Sequence, residues 1–225
     1  MPKLSKRYRA AIAMKVDGVH ELSAALTQLE GFPKAKFDET VECCFRLGVD
    51  AKKSDQMVRG AISLPHGIGK TLRVVAFAEG PKADEAREAG AVEVGAADLA
   101  QKIQGGWMDF DVAVATPDMM KHVGRLGKVL GPQGKMPSPK AGTVTMDVGT
   151  AVREFVAGKI EFRIDSAGNL HAPVGKRSFA KEKLVDNIQA LLTYIETLRP
   201  SATKGQFLVK ATVTATMSPG LQFRV

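Results

Sequence analysis

Hydrophobic and polar residues change rhythm twice along this 225-residue chain. Residues 21–29 set Leu22, Ala25, Leu26 and Leu29 on one helical face. Val41, Cys43, Phe45 and Leu47 then alternate with Thr40, Glu42, Cys44 and Arg46, the period of a half-buried strand with a polar outer face. Gly48 and the polar run from Asp50 to Asp55 end it. A further strand, Val58 to Leu64, stops at Pro65, and the Pro-His-Gly-Ile-Gly that follows reads as a hinge.

From Leu72 the pattern is different. Apolar strands at LRVVAFA, AVEVG, FDVAVAT and TVTMDVG are separated by helical stretches such as PKADEAREAG and ADLAQKIQGG, with a last helix through Val156. Strands alternating with helices in this way predict βαβ units around a parallel sheet buried on both faces. After Gly158 the antiparallel style returns. IEFRID and NLHAPV are expected to form a hairpin across Ser166-Ala167-Gly168. Ala180 to Arg199 predicts a helix with an apolar stripe from Leu184 to Leu198, stopped by Pro200. The last strand, QFLVKATVTATM, is expected to bury Phe207, Val209, Ala211, Val213, Ala215 and Met217. Its other face shows Lys210, Thr212, Thr214 and Thr216.

Charge sharpens this division. Residues 1–66 hold 11 Lys/Arg against 8 Asp/Glu and residues 159–225 hold 10 against 5, whereas 67–158 hold 11 against 11. The whole net charge of +8 therefore sits on the two ends. Together with the change of rhythm, this predicts a two-domain α/β chain. A split α+β domain, 1–66 with 159–225, has an antiparallel sheet formed by both termini. A Rossmann-like parallel α/β domain, 67–158, is inserted into it. A basic field of this kind suits a polyanion, and nucleic acid is the first candidate.

Composition narrows the chemistry. No apolar run approaches the ~18–20 residues of a membrane span, and the short apolar part of the basic start is no secretory core. The expectation is a cytoplasmic protein without a membrane partner. Cys43 and Cys44 are adjacent, so they point to opposite faces of a strand and read as two reduced structural thiols. His20, His66, His122 and His171 are scattered, and no metal site is expected. Gly67-Ile68-Gly69-Lys70-Thr71 lacks the first glycine of a phosphate loop and precedes a strand rather than a helix. No dinucleotide fingerprint follows an apolar strand. No cofactor is expected, no catalytic constellation stands out, and the carboxylates of Asp84, Glu85 and Glu88 read as a solvated helix face.

Two surfaces remain. Residues 119–146 carry Lys121, Arg125, Lys128, Lys135 and Lys140 without an acid, amid five glycines and three prolines. Such a loop suits phosphate contacts or is a plain surface loop. On the split domain, hydroxyls at Thr40, Thr212, Thr214 and Thr216 stand among Arg46, Arg163 and Lys210. Short donors among cations suit the 2′-hydroxyls and phosphates of structured RNA, though threonine is also common on a solvated β-face.

Eight ordered segments carry a family resemblance: AKFDETVE (35–42), KKSDQMVRG (52–60), LPHGIGK (64–70), ATPDMM (115–120), LGPQGKMPSPKAGTVT (130–145), IEFR (160–163), HAPVGKRSF (171–179) and TMSPG (216–220). They resemble bacterial large-subunit ribosomal protein number one, the stalk-protein family, over essentially the whole chain. The resemblance implies the same split domain, inserted domain and hinge. It implies a ribosomal protein, monomeric when free, that binds the stalk of large-subunit ribosomal RNA near the exit of deacylated transfer RNA and assists its release. Many such proteins also repress their own messenger RNA by binding a mimic of the site in its leader.

Carried over by position, the ribosomal RNA surface comprises Lys36, Phe37, Thr40, Glu42, Arg163, His171, Lys176, Ser178, Thr216, Met217, Ser218 and Pro219. The five cations of 119–146 offer a secondary RNA or transfer RNA contact. The family's Thr-Met-Gly-Pro is here Thr-Met-Ser-Pro, and a β-carbon at Ser218 bears on how closely the backbone meets RNA. Phe37 shares its strand parity with Val41 and Cys43, so it faces either core or RNA. An enzyme using the Rossmann-like domain and a generic basic RNA chaperone are the rival readings.

Overall fold

A computed structural model describes residues 4–225; the first three residues of the basic start lie outside them. The chain divides into two compact units, Met1–Gly69 with Glu161–Val225, and Lys70–Ile160.

In the first unit, α1 (Lys6–Met14) begins at Ser5, whose hydroxyl accepts from the Tyr8 N–H. Helix α2 (Leu22–Gly31) buries Ala25, Leu26 and Leu29, the stripe its periodicity predicts. Strand β1 (Thr40–Leu47) follows, with Val41, Cys43, Phe45 and Leu47 inside. β2 (Arg59–Ser63) leads into the Pro65–Gly69 segment. The residues expected to form a hinge are bonded within their own unit. Buried Asn187 accepts from the His66 N–H (3.0 Å) and donates to the carbonyls of Gly67 (3.0 Å) and Val174 (2.8 Å). Gly69 has a left-handed φ of +69°, and a β-carbon there would lie 2.9 Å from Lys176 and Phe179. Only glycine meets both conditions.

In the second unit, β3 (Val74–Phe77) is buried at every position, as a central parallel strand must be. α3 (Pro81–Glu88), β4 (Glu93–Gly95), α4 (Ala97–Gln104) and β5 (Val112–Ala115) follow. The sheet has the order β4-β3-β5 and is parallel throughout. The predicted fourth strand is reduced to one parallel bridge, Ala115 to Val144. Asp147 explains why: it caps the next helix, its carboxylate accepting from the Thr150 N–H, and so ends the extended run early. Residues 119–146 are also less open than a Gly/Pro loop, holding short helices α5 (Met120–Val123) and α6 (Gly127–Leu130) that, with the 3-10 turn between them, bury Val123, Leu126 and Leu130. α7 (Val148–Val156) closes the unit. α3 and α7 pack on one face of the sheet, α4 and the short helices on the other, the doubly wound arrangement.

The chain then returns through β6 (Lys159–Arg163), β7 (Asn169–Lys176), α8 (Lys181–Thr197), β8 (Leu208–Ala215) and β9 (Leu221–Phe223). The main antiparallel sheet runs β7-β1-β8-β9. The turn at 165–168 forms as expected, with Asp165 accepting from the N–H groups of Ala167 and Asn169. The hairpin it closes is short: beyond the antiparallel Ile164–Leu170 bridge and the bond from the Asp165 N–H to the Asn169 carbonyl (2.8 Å), β6 pairs with β2 instead of β7. In β8 the register slips where Arg46 faces Lys210 but Leu47 faces Leu208, a bulge that turns Val209 out to 48% exposure. Val209 was expected in the core; the extra residue reverses its parity. Helices α2 and α8 cover the apolar face of this sheet, leaving the other face polar.

Candidate nucleic-acid interface

Strand direction gathers the candidate residues. Thr40 opens β1 opposite Lys176 at the end of β7, and Val41 faces Ala215 at the end of β8. The segments just beyond these strands, 35–39, 177–178 and 216–219, therefore meet at one end of the sheet.

A buried ion pair fixes them. Glu39 has the parity of Val41 and Cys43, so its carboxylate is driven inward and is only 1% exposed. Its Oε1 accepts from the Ala35 N–H (2.8 Å) and from Arg177 (2.8 Å), and its Oε2 from the Met217 N–H (3.1 Å). The Arg177 side chain, 5% exposed, also donates to the carbonyls of Leu29, Glu30 and Phe32 at the end of α2. Burial pushes the Glu39 carboxyl up, but the two N–H donors and the guanidinium outweigh it and hold it below its ordinary value. One ion pair thus ties the end of α2, the 35–39 turn and the ends of β7 and β8.

Around this anchor the surface is polar and ordered. Lys176 Nζ donates to Thr40 Oγ1 at 2.9 Å. Ser178 donates to Asp38 through both its N–H (3.1 Å) and its hydroxyl (2.7 Å). Thr216 accepts from the Thr40 N–H at 3.0 Å, so its hydroxyl oxygen closes the β1–β8 ladder rather than pointing freely outward. Lys36 is exposed, and Phe37 is 55% exposed because the strand starts three residues later, which frees its ring from the core. Met217 was expected among the buried residues of the last strand, but β8 ends at Ala215 and Met217 is 46% exposed. Ser218 uses its hydroxyl to accept from the Ala215 N–H at 2.9 Å, and among the described residues none other than glycine has a positive φ, so serine fits this turn without strain. Pro219 is buried beneath it and shapes the turn.

The remaining residues spread along the polar face. Glu42 is exposed opposite Pro173 and Thr214, and His171 opposite Cys44, with Sγ and Nε2 3.8 Å apart. Burial and Asp165 push the Cys44 thiol up, which keeps it protonated. Arg163 is apart: β6 joins the sheet only near Leu170, about 20 Å along β7 from Lys176 at the usual rise per residue.

In the inserted unit, Lys121, Arg125 and Lys128 are exposed at helical spacing over α5 and α6, and Lys140 is exposed beyond them. Lys135 turns inward instead. Its ammonium donates to the Met108 carbonyl at 3.1 Å and lies 4.8 Å from the Phe110 ring centre. Among the described residues no group of three or more His, Cys, Asp or Glu could hold a metal ion, and no helix is long and apolar enough to cross a membrane.

The profile of the Ribosomal protein L1p/L10e family matches residues 27–219. This chain belongs to that family. It is 58% identical to the large ribosomal subunit protein uL1 of Cutibacterium acnes over 221 residues, covering 98% of this chain and 95% of that protein. It is 54% identical to the uL1 of Solidesulfovibrio magneticus (99% and 95% covered) and 52% identical to that of Kosmotoga olearia (99% and 96%). The L1 family is one of structural rather than catalytic proteins, and these relatives make the chain a protein of the large ribosomal subunit.

Within the family frame, three residues central to the geometry escaped the sequence reading: Asp38, Glu39 and Arg177. All lie inside the segments that carry the family resemblance. The usable signal was parity, since an acid at a core position of a strand requires a buried cation.

Proposed function

We propose that the strand-end surface of the split unit binds the stalk of large-subunit ribosomal RNA near the transfer RNA exit, and that it assists release of deacylated transfer RNA. The chain acts without catalysis and is a monomer when free. The same surface binds a mimic of the stalk in the leader of its own messenger and represses translation. The observation that carries this reading is the convergence of Lys36, Phe37, Thr40, Lys176, Ser178, Thr216 and Met217 on one sheet end, held by the Glu39–Arg177 pair. Hydroxyls and cations offer partners for phosphates, and the hydroxyls and the Glu42 carboxylate for 2′-hydroxyls, which both donate and accept. A rigid, pre-ordered surface suits recognition of folded RNA by shape. The row Lys121, Arg125 and Lys128 supplies the secondary contact with transfer RNA.

The test is an anisotropy titration of a labelled stalk fragment against a scrambled duplex of equal length. Tight binding of the stalk alone is expected. Equal affinities would replace this reading with that of a basic RNA chaperone. Replacing Lys121, Arg125 and Lys128 by alanine is expected to weaken transfer RNA binding while leaving the stalk affinity within about twofold, the scatter of one rim charge.

A further inference from the structure

A cleft of about 270 Å³ is lined by the Glu39–Arg177 pair together with Lys34, Phe37, Asp38 and Ser178. Pockets for drug-sized ligands span about 300–1,000 Å³, so this cleft suits a smaller guest, on the scale of one nucleobase. The half-exposed Phe37 ring offers an apolar face at its edge. Unpaired bases stack on such rings, and every base has a face to give.

The polar lining selects among bases. The Glu39 carboxylate is consumed by Ala35, Arg177 and Met217. Asp38 is not: Ser178 takes one position on each oxygen, which fixes the carboxylate and leaves each oxygen a further acceptor site. A carboxylate repels phosphate, so the guest here is a base edge rather than backbone. Its two oxygens ask for two adjacent donors. Guanine presents these, N1–H beside the N2 amine. Adenine, cytosine and uracil each place an acceptor next to their donor.

We propose that this cleft receives one unpaired guanine of the bound RNA, stacked on Phe37 and donating N1–H and N2–H to Asp38. Lys34 at the same cleft offsets the repulsion between Asp38 and the flanking phosphates. The proposal rests on the RNA-binding reading above and adds a base-specific contact to a surface otherwise suited to shape.

Two titrations of the full chain test it. In the first, NMR shifts of the Phe37 ring and of residues 34–38 follow addition of the heptamers UUUGUUU, UUUIUUU and UUUAUUU. Guanine should bind about tenfold more tightly than inosine, which lacks the N2 amine, and than adenine. In Asp38→Asn the side chain offers one acceptor and one donor, so the preference should pass from guanine to adenine. Phe37→Leu should weaken all three alike. Thermal melts confirm that both variants are folded. Equal binding of the three heptamers, or an unchanged preference in Asp38→Asn, overturns the guanine site.

In the second titration, inosine replaces each unpaired guanine of the stalk fragment in turn. One position should lose about tenfold in affinity, and that loss should vanish in Asp38→Asn. Stalk binding that ignores every replacement rejects the cleft and keeps the ribosomal RNA reading. Heptamer discrimination without stalk binding rejects the ribosomal RNA reading and keeps the cleft.

Discussion

Thr216 and Glu39 each perform a structural task at the surface proposed to meet RNA, so a change at either residue bears on stability first. The Thr216 hydroxyl accepts from the Thr40 N–H, which has no ladder partner once β8 has ended. Thr216→Val keeps the branched shape and removes that acceptor. The expected result is a loss of stability of about 1–2 kcal/mol in a denaturant titration, in addition to weaker stalk binding. An unchanged unfolding midpoint would show that water replaces the hydroxyl. Glu39 carries more. Removing one partner of a buried pair typically costs about 3–5 kcal/mol, and Glu39→Gln should fall in that range. Its pH dependence has a definite sign. Because the folded carboxyl sits below its ordinary value of 4.5, its stabilisation is complete above that value. It is lost as the pH falls through the lowered one. Glu39→Gln should therefore flatten the acid limb of the stability profile and lower the neutral plateau; an acid limb as steep as the wild type's would remove Glu39 from this role.

At the scale of elements, alternation made β1 legible residue by residue, because one face packs on α2 and α8 while the other meets solvent. β8 was legible only to its bulge: nothing in the apolar side chain of Val209 signals an inserted residue, which arises from the pairing with Arg46 and Leu47. The partner of β6 was equally hidden. A tight turn at Ser166–Gly168 predicts a change of direction, but pairing with β2 is a long-range choice that local chemistry does not encode. The candidate surface divides the same way. Its polar rim was readable from the motifs, while the ion pair beneath it joins residues 138 positions apart. The turn after β8 gives a further test. Ser218 accepts from the Ala215 N–H, and its backbone needs no glycine, so restoring the family glycine removes a cap without relieving strain. Ser218→Gly should lower stability by about 0.5–1.5 kcal/mol and leave stalk affinity within about twofold. A large gain in affinity would mean that the serine β-carbon holds RNA away.

Over the whole molecule, charge follows the two compact units. Met1–Gly69 with Glu161–Val225 holds 20 Lys/Arg against 13 Asp/Glu, a net +7, and Lys70–Ile160 holds 12 against 11, a net +1. If the split unit carries the stalk site, binding that neutralises about four to six phosphates gives a log–log salt slope of about −3 to −5. A shortened chain that replaces the inserted unit with a brief linker should keep that slope. Where the chain is cut matters. Ending the first segment at His66 would discard the Gly67 carbonyl that Asn187 binds, the buried Ile68, and Gly69 against Phe179. Asn187 would then keep a buried donor without its partner, at a cost of about 1–3 kcal/mol. With both chains resumed at Lys159, the start of β6, the one cut after Gly69 should therefore unfold at higher denaturant than the one cut after His66, with equal affinity for the stalk fragment while both are folded. Loss of nearly all affinity from the longer, folded version would move the RNA site to the inserted unit, and a salt slope near zero would reduce the basic ends to solubilising charge.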